Sequence, residues 1–381
     1  MLEIQKFISD NHNWREILTN EPYSLIINQT DDRIIFRYVQ GISDYSYPLV
    51  REARGLILDK NDYHVISMGF TKFFLCDSEF ADDIDWNNIR VEDKADGTLI
   101  VLYYYKNEWI PATNGTMDAH SAPLCGGDII TYGQLFDIAA NKCGLDYSKL
   151  NTDYCYMFEL TSPYNIIVVP YDEISITHIG TRDRITLREL DTDIGIKKPK
   201  IYSINNLDDA IKAVNDINFH GEGFVVVDKD YHRIKVKSDE WFKWHYMIGN
   251  STPTTMTLER ALDILLSDDA DEFIAKYPHY KSYMDKVKSA YIEYGRCINH
   301  VIITAKNATN SLDSRKDFAE YYGRWINAFE SEIDKDIYSG MKNAYFSVWD
   351  NPNYSYKDYL NSVTSKHKLR DFTKIYANYF A

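Results

Sequence analysis

Lys94 heads the segment KADGTLI (94–100), where a tight-turn pair, Asp96-Gly97, precedes a strongly apolar run. A lysine amine is a covalent nucleophile only when partly deprotonated, and burial or neighbouring cations supply that state by lowering its pKa. A lysine at the mouth of a sheet would be held rigidly for such work; the bland alternative is a β-turn with a surface lysine. Glu159, in YMFELTSP, and Glu222, in HGEGFVVV, are carboxylates set in apolar runs. They are costly there unless they meet a cation or face solvent on an edge strand, and a pair of them suits a Mg²⁺ site that keeps part of its water. In RIKVKSDEW (233–241), Lys235 and Lys237 are two apart and share one strand face. That spacing fits a triphosphate or a departing pyrophosphate, and equally a solvated basic face. Arg54, in REARGLILD, and Lys72, in TKFFL, are further cations suited to phosphate oxygens or to an ordinary surface. The sequence has no Walker A loop, no GxGxxG after a strand, no HExxH and no nucleophile elbow, so nucleotide chemistry would need another architecture.

The elements that must position these residues are mostly strands. RIIFRYV (33–39), TLIVLYYY (98–105), YCYMFEL (154–160), NIIVV (165–169), ISITHI (174–179), GFVVV (223–227) and RIKV (233–236) are short, β-branched or aromatic, and bounded by turn residues. Helical spacing appears at 128–144, ending on Gly144, and at 207–217. Without regular βαβ alternation this reads as an α+β fold of mainly antiparallel sheets with flanking helices. After GNSTPTT (249–255) the pattern turns helical. Met284, Val287, Tyr291, Tyr294, Ile298 and Val301 recur at steps of three and four. Ser314 with Asp317 forms a capping pair ahead of a second helix, ThrLeuGluArg at 257–260 opens another, and Phe372, Ile375, Tyr376 and Tyr379 mark a last one. The expected division is a domain over 1–248 and an all-helical domain over 249–381.

The chain of 381 residues carries a net charge of −15, which argues against nucleic-acid binding but leaves room for a compact basic site. Five cysteines without a CxxC pair exclude a zinc ribbon and a disulfide framework, and read as thiols in a reducing compartment. The N-terminus reads as an amphipathic helix rather than a signal peptide, and no apolar run is long enough to span a membrane. A soluble, cytoplasmic monomer without a membrane partner is expected. The helical-half aromatics fall at helical spacing and read as core rather than as base-stacking platforms.

The order of the motifs decides more than any one of them. Arg54-Gly55, Lys72-Phe73-Phe74, Lys94-x-Asp96-Gly97, Phe158-Glu159, Glu222-Gly223-Phe224 and Lys235-x-Lys237-Ser238 closely resemble, in sequence, the motifs of the covalent nucleotidyltransferases. The ARG element, the KFF element, KSD after the last lysine motif and a helical tail resemble the bacteriophage-type ATP-dependent RNA ligases, the RNA ligase 1 family. The motif resemblance covers residues 51–241. It implies an adenylyltransferase domain and a lysine–AMP intermediate on Lys94. Lys235 and Lys237 would contact the α-phosphate, and Arg54 and Lys72 the outer phosphates. Glu159 would serve the ribose or a metal-bound water, and Glu222 a metal-bound water. Gly97 would lie against the nucleotide, and Arg182, in IGTRDR, would be a further basic contact. ATP and Mg²⁺ or Mn²⁺ are the implied cofactors. RNA with 5′-phosphate and 3′-hydroxyl ends, including broken tRNA, is the implied partner, in the host cytoplasm if phage-encoded. The chain departs from the pattern at Asn114, where a basic residue is expected, and around Glu240-Trp241. An mRNA-capping guanylyltransferase would carry an OB-fold rather than helices after the last lysine motif. An inactive RNA-binding relative is the alternative from another class.

Overall fold

In the computed structural model of the protein, residues 1–124, 131–165, 169–216, 221–239, 256–267, 270–356, 359, 372–373 and 375–376 are described. The chain forms two units, Met1–Thr252 and Pro253–Ala381. The first opens with helices α1 (Glu3–Asp10) and α2 (Trp14–Thr19), strands β1 (Ile26–Gln29) and β2 (Arg33–Arg37), and helix α3 (Pro48–Glu52). Then follow β3 (Arg54–Asp59), β4 (Val65–Ser67), β5 (Phe74–Leu75), β6 (Ile89–Lys94), β7 (Thr98–Tyr105) and β8 (Glu108–Ala112). Helix α4 (Tyr132–Cys143) leads to β9 (Tyr154–Thr161), β10 (Ser175–Asp183), β11 (Glu189–Leu190) and β12 (Ile201–Tyr202). Helix α5 (Leu207–Asn215) precedes β13 (Gly223–Asp228) and β14 (Arg233–Lys237).

These strands build three sheets, ordered β1-β2-β3-β4, β11-β10-β9-β7-β8 and β12-β6-β13-β14-β5. The ladders among the described residues are antiparallel except β14 with β5, which is parallel. Nearly continuous apolar runs are strands buried on both faces. On β3, Leu56 and Leu58 pack with α1 and α2, while Ile57 joins Ile35, Val101, Tyr103 and Met157 between the first two sheets. On β9, Tyr156, Phe158 and Leu160 face α4, and Cys155 and Met157 face the first sheet. Period-two alternation therefore puts Glu159 on the Met157 face. On β14, Ile234 and Val236 pack with α5 residues, which leaves Arg233, Lys235 and Lys237 on the opposite face.

The expected helix over 128–144 begins at Tyr132, capped by Thr131, and ends at Gly144; residues 125–130 lie outside the described residues. So do 166–168, the centre of the expected strand over 165–169, together with the 249–255 boundary, Glu240-Trp241 and Tyr379. Cys76, Cys143, Cys155 and Cys297 are free thiols. Among the described residues no helix is long and apolar enough to cross a membrane.

Every element described in the second unit is helical. The helix Lys281–Thr309 buries Met284, Val287, Tyr294, Ile298 and Val301 along one stripe. Ser314 caps Arg315–Asn327 through the Asp317 N–H, and Thr257 caps Leu258–Leu265. Phe318 stacks on Tyr345 at 4.2 Å, and Phe372 on Tyr376 at 4.8 Å, so these aromatics are core.

One buried imidazole packs β10 against β9, its ring centroid 5.6 Å from that of Phe158 and 6.1 Å from that of Tyr156. His178 Nε2 lies 2.9 Å from Thr181 Oγ1, and burial pushes its pKa down to about 4 from the ordinary 6.5. Between those two pH values the unfolded chain binds a proton that the folded chain refuses, so stability falls as pH drops through that window. His178→Gln is expected to remove up to about 3 kcal/mol of that acid sensitivity. Urea melts of both proteins across this window check it; identical slopes would rule the imidazole out.

Candidate active site

Strand β13 lies between β6 and β14, and Gly223 is directly opposite both Lys94 and Lys237. A Cβ on Gly223 would sit 2.2 Å from the Val236 carbonyl oxygen, at φ +152°, so only glycine lets the strands close at this point. Glu222, one residue earlier, spans the two lysines. Its Oε2 is 2.5 Å from Lys94 Nζ and its Oε1 is 2.7 Å from Lys237 Nζ. The Glu222 and Lys237 side chains are 3% and 2% exposed, whereas Lys94 is 20% exposed at the rim.

Past Lys94 the chain turns through Asp96 and Gly97. The buried Asp96 carboxylate accepts the Val169 N–H at 2.7 Å, and the Asp96 N–H donates to the Tyr171 hydroxyl at 3.1 Å. The Gly97 N–H donates to Glu159 Oε1 at 2.9 Å, which ties the turn after the lysine to the second strand carboxylate. The two glutamates thus approach Lys94 from different sheets.

The electrostatics differ from the expectation for the lysine. Burial and the Lys237 charge do press the Lys94 pKa down, but Glu222 and Glu159 outweigh them and the net shift is upward. Lys94 is held here as an ammonium. Glu159 is pushed up to about 7, chiefly by burial; the Glu222 charge adds to this, while Lys94, the Gly97 N–H and Arg54 oppose it.

Lys235 and Lys237 share the β14 face as expected, but both are buried, which removes the solvated-face alternative. Lys235 Nζ lies 5.2 Å from the Phe73 ring centroid, and the Arg54 guanidinium lies 5.5 Å from the same ring. Phe73 therefore holds two cations near one aromatic surface. Lys72 has other surroundings: Tyr38, Tyr45 and Phe74 lie 5.2–5.6 Å from its Nζ, with Gln40 Oε1 at 3.5 Å. Arg182 does not join the Lys94 cluster. Its guanidinium is committed to Glu189, at 2.7 Å, and to the Gly69 and Leu187 carbonyls. Glu189 also pairs with Arg233 at 2.6 Å, so Glu189, bridging Arg182 and Arg233, clamps β10 and β11 to the start of β14. Asp96, Tyr171 and Phe73 are site neighbours that the sequence reading did not assign. The aromatic after Lys72 was the available signal for Phe73.

Glu159 and Glu222 are hard oxygen donors of the type Mg²⁺ or Mn²⁺ takes. Burial and the Glu222 charge disfavour ionisation of Glu159, and a divalent cation beside the two carboxylates would offset both, so the residues fit such an ion. A separate exposed group, Asp59, Asp62 and His64, organises its own turn through carboxylate bonds to the Asn61 and His64 N–H groups.

Comparison with known proteins gives the same reading of this segment. The RNA ligase family profile matches residues 52–248, more than half of the chain and all of the lysine and glutamate positions above. A putative bifunctional polynucleotide kinase/RNA ligase of Autographa californica nuclear polyhedrosis virus is 30% identical over 282 residues, 68% of this chain. The match spans only 39% of that viral protein. An RNA ligase of Rhodothermus phage RM378 is 27% identical over 332 residues, covering 69% of this chain and 74% of its own length. Among solved structures, an archaeal ATP-dependent RNA ligase aligns over 78% of this chain and 82% of its own, at 14% identity and a TM-score of 0.44. By the extent of the profile match and the identity to the viral relative, the chain belongs to the RNA ligase family.

Proposed function

We propose that the protein is an ATP-dependent RNA ligase acting through AMP bound to Lys94. The observation that carries this reading is the Lys94–Glu222–Lys237 bridge, a lysine at a strand end flanked by a second cation and two carboxylates. Lys94 Nζ attacks the α-phosphate of ATP; a P–N bond forms and pyrophosphate leaves. The proton Lys94 must lose has Glu222 Oε2 as its hydrogen-bonded acceptor. Lys235 and Lys237 neutralise charge that builds on the α-phosphate. Arg54 and Lys72 orient the outer phosphates, and Glu159 the ribose. The AMP phosphorus then passes to an RNA 5′-phosphate, and attack by a 3′-hydroxyl seals the strand and releases AMP. A divalent cation held by Glu159 and Glu222 would supply charge neutralisation during these in-line transfers. Repair of broken tRNA, in the cytoplasm and by a monomer, is the setting the reading implies. The unit Met1–Thr252 would carry the adenylyl chemistry and the helical unit the choice of RNA.

The test is a denaturing gel after incubation with Mg²⁺ and α-labelled ATP, followed by a chase with 5′-phosphorylated RNA. Protein-bound label that moves to RNA and then to sealed product is expected. Labelling by GTP alone would point to capping chemistry. Absence of label from folded protein, shown by mass to carry no AMP already, would leave a binding protein on this fold.

A further inference from the structure

Among the described residues, two arginines near this centre stand opposite each other without an acidic partner. On β2 and β3 the register runs Phe36 opposite Leu56 and then Arg37 opposite Arg54, which leaves Gly55 as the extra residue of a bulge at φ +74°. Bulges re-aim side chains, and directly opposed like charges destabilise a sheet. With 57 acidic residues in the chain the missing partner is no matter of supply. Among the described residues Arg37 is exposed and Arg54 has Nε and Nη1 buried without an acceptor.

The turn after β8 closes over this pair. A Cβ on Gly55 would lie 2.9 Å from Asn114 Cα and 3.4 Å from Asn114 Oδ1, and a Cβ on Gly115 would lie 3.4 Å from Arg37 Nη1. Asn114 Oδ1 is itself buried with no donor. Unused guanidinium donors and an unused amide acceptor thus lie within one small region, and Arg54 is close enough to Glu159 to bias its ionisation. Buried polar atoms left unpaired are costly and call for a partner. That partner must carry an anion for the arginines and a hydrogen-bond donor for Asn114. With the ATP ribose at Glu159, as the proposed function has it, ATP would bring only its outer phosphates here, and these carry no donor at neutral pH; a ribonucleotide strand supplies both, through its phosphate and its 2′-hydroxyl.

We propose that Arg37, Arg54 and Asn114 form a strand subsite that holds one RNA phosphate between the guanidiniums and takes the adjoining ribose 2′-hydroxyl on Asn114 Oδ1. This rests on the RNA ligase reading. Arg54 serves the nucleotide phosphates until pyrophosphate leaves and the strand phosphate afterwards. Asn114 is the residue that distinguishes RNA from DNA.

The test measures anisotropy of fluorescein-labelled, 5′-phosphorylated RNA and DNA of one sequence with the full chain, its Asn114→Ala variant and its Arg37→Ala variant. Wild type is expected to prefer RNA by roughly tenfold, the effect of one hydrogen bond to a buried acceptor. Asn114→Ala should bring RNA down to the DNA level without lowering the thermal midpoint, because it removes an unpaired buried atom. Arg37→Ala should weaken RNA and DNA alike and reduce the salt dependence by about one counterion. Equal binding of RNA and DNA by wild type, or a preference that survives Asn114→Ala, overturns the proposal. So does a rise in the ATP concentration needed for labelling of Asn114→Ala with its RNA preference intact, which would assign the group to the triphosphate. The binding readout needs no turnover, so failure of the ligase reading shows separately, as absent labelling by ATP.

Discussion

Lys94→Ala is expected to lose protein-bound AMP by at least about 10⁴-fold, because the remaining lysines of the cluster, Lys235 and Lys237, are buried and are assigned to neutralise charge on the α-phosphate rather than to attack it. The fold should survive the change. Lys94 lies at the rim and Glu222 keeps Lys237 at 2.7 Å, so the buried carboxylate stays paired. Lys94→Arg sharpens the result. A guanidinium keeps the positive charge beside Glu222 but does not deprotonate in a protein, so stability should hold while labelling is still lost. Mass spectrometry after incubation with ATP and Mg²⁺, with thermal melts of the three proteins, reads both quantities. Labelled Lys94→Arg would move the nucleophile elsewhere.

Glu222→Ala is expected to damage the fold as well as the chemistry. It leaves Lys94 and Lys237 facing each other without their shared carboxylate, and Lys237 is only 2% exposed. Removing one partner from a buried ion pair costs about 3–5 kcal/mol, or on the order of 10 °C in thermal midpoint for a unit of this size. Replacing Lys237 by Met in the same chain removes the second stranded charge and should recover part of the loss. A thermal midpoint unchanged in Glu222→Ala would mean that the bridge is not a stabilising contact. Labelling by ATP should fall in both variants, since neither restores the Glu222 carboxylate that accepts the Lys94 proton.

The parts legible in sequence were those governed by local periodicity. Alternation on β14 placed Lys235 and Lys237 on one face because Ile234 and Val236 must reach the core below. Stripe spacing in Lys281–Thr309 and the Ser314 cap were readable for the same reason. What escaped depends on partners distant in the chain. The rise in the Lys94 pKa comes from Glu222, 128 positions away, and nothing around KADG announces it. Arg182 reads as well for a phosphate ligand as for a structural clamp until the turn before Glu189 folds back on it. Within Lys72-Phe73-Phe74, Lys72 meets Tyr38, Tyr45 and Phe74, Phe73 meets Arg54 and Lys235, and Phe74 pairs with Ile234. Three adjacent letters thus serve three environments.

The bridge of Lys94, Glu222 and Lys237 also bears on the birth of the protein. Contacts of such long sequence separation close late, because the intervening chain must first be ordered. On a ribosome Lys94 emerges long before Glu222 and Lys237, and until β14 is released the sheet lacks the strand that lies between β13 and β5. A nascent or prematurely ended chain therefore displays the lysine without its Glu222 and Lys237 neighbours. On the proposed chemistry the centre would act as a completeness check, with ATP drawn on only by a first unit that has been synthesised through Lys237.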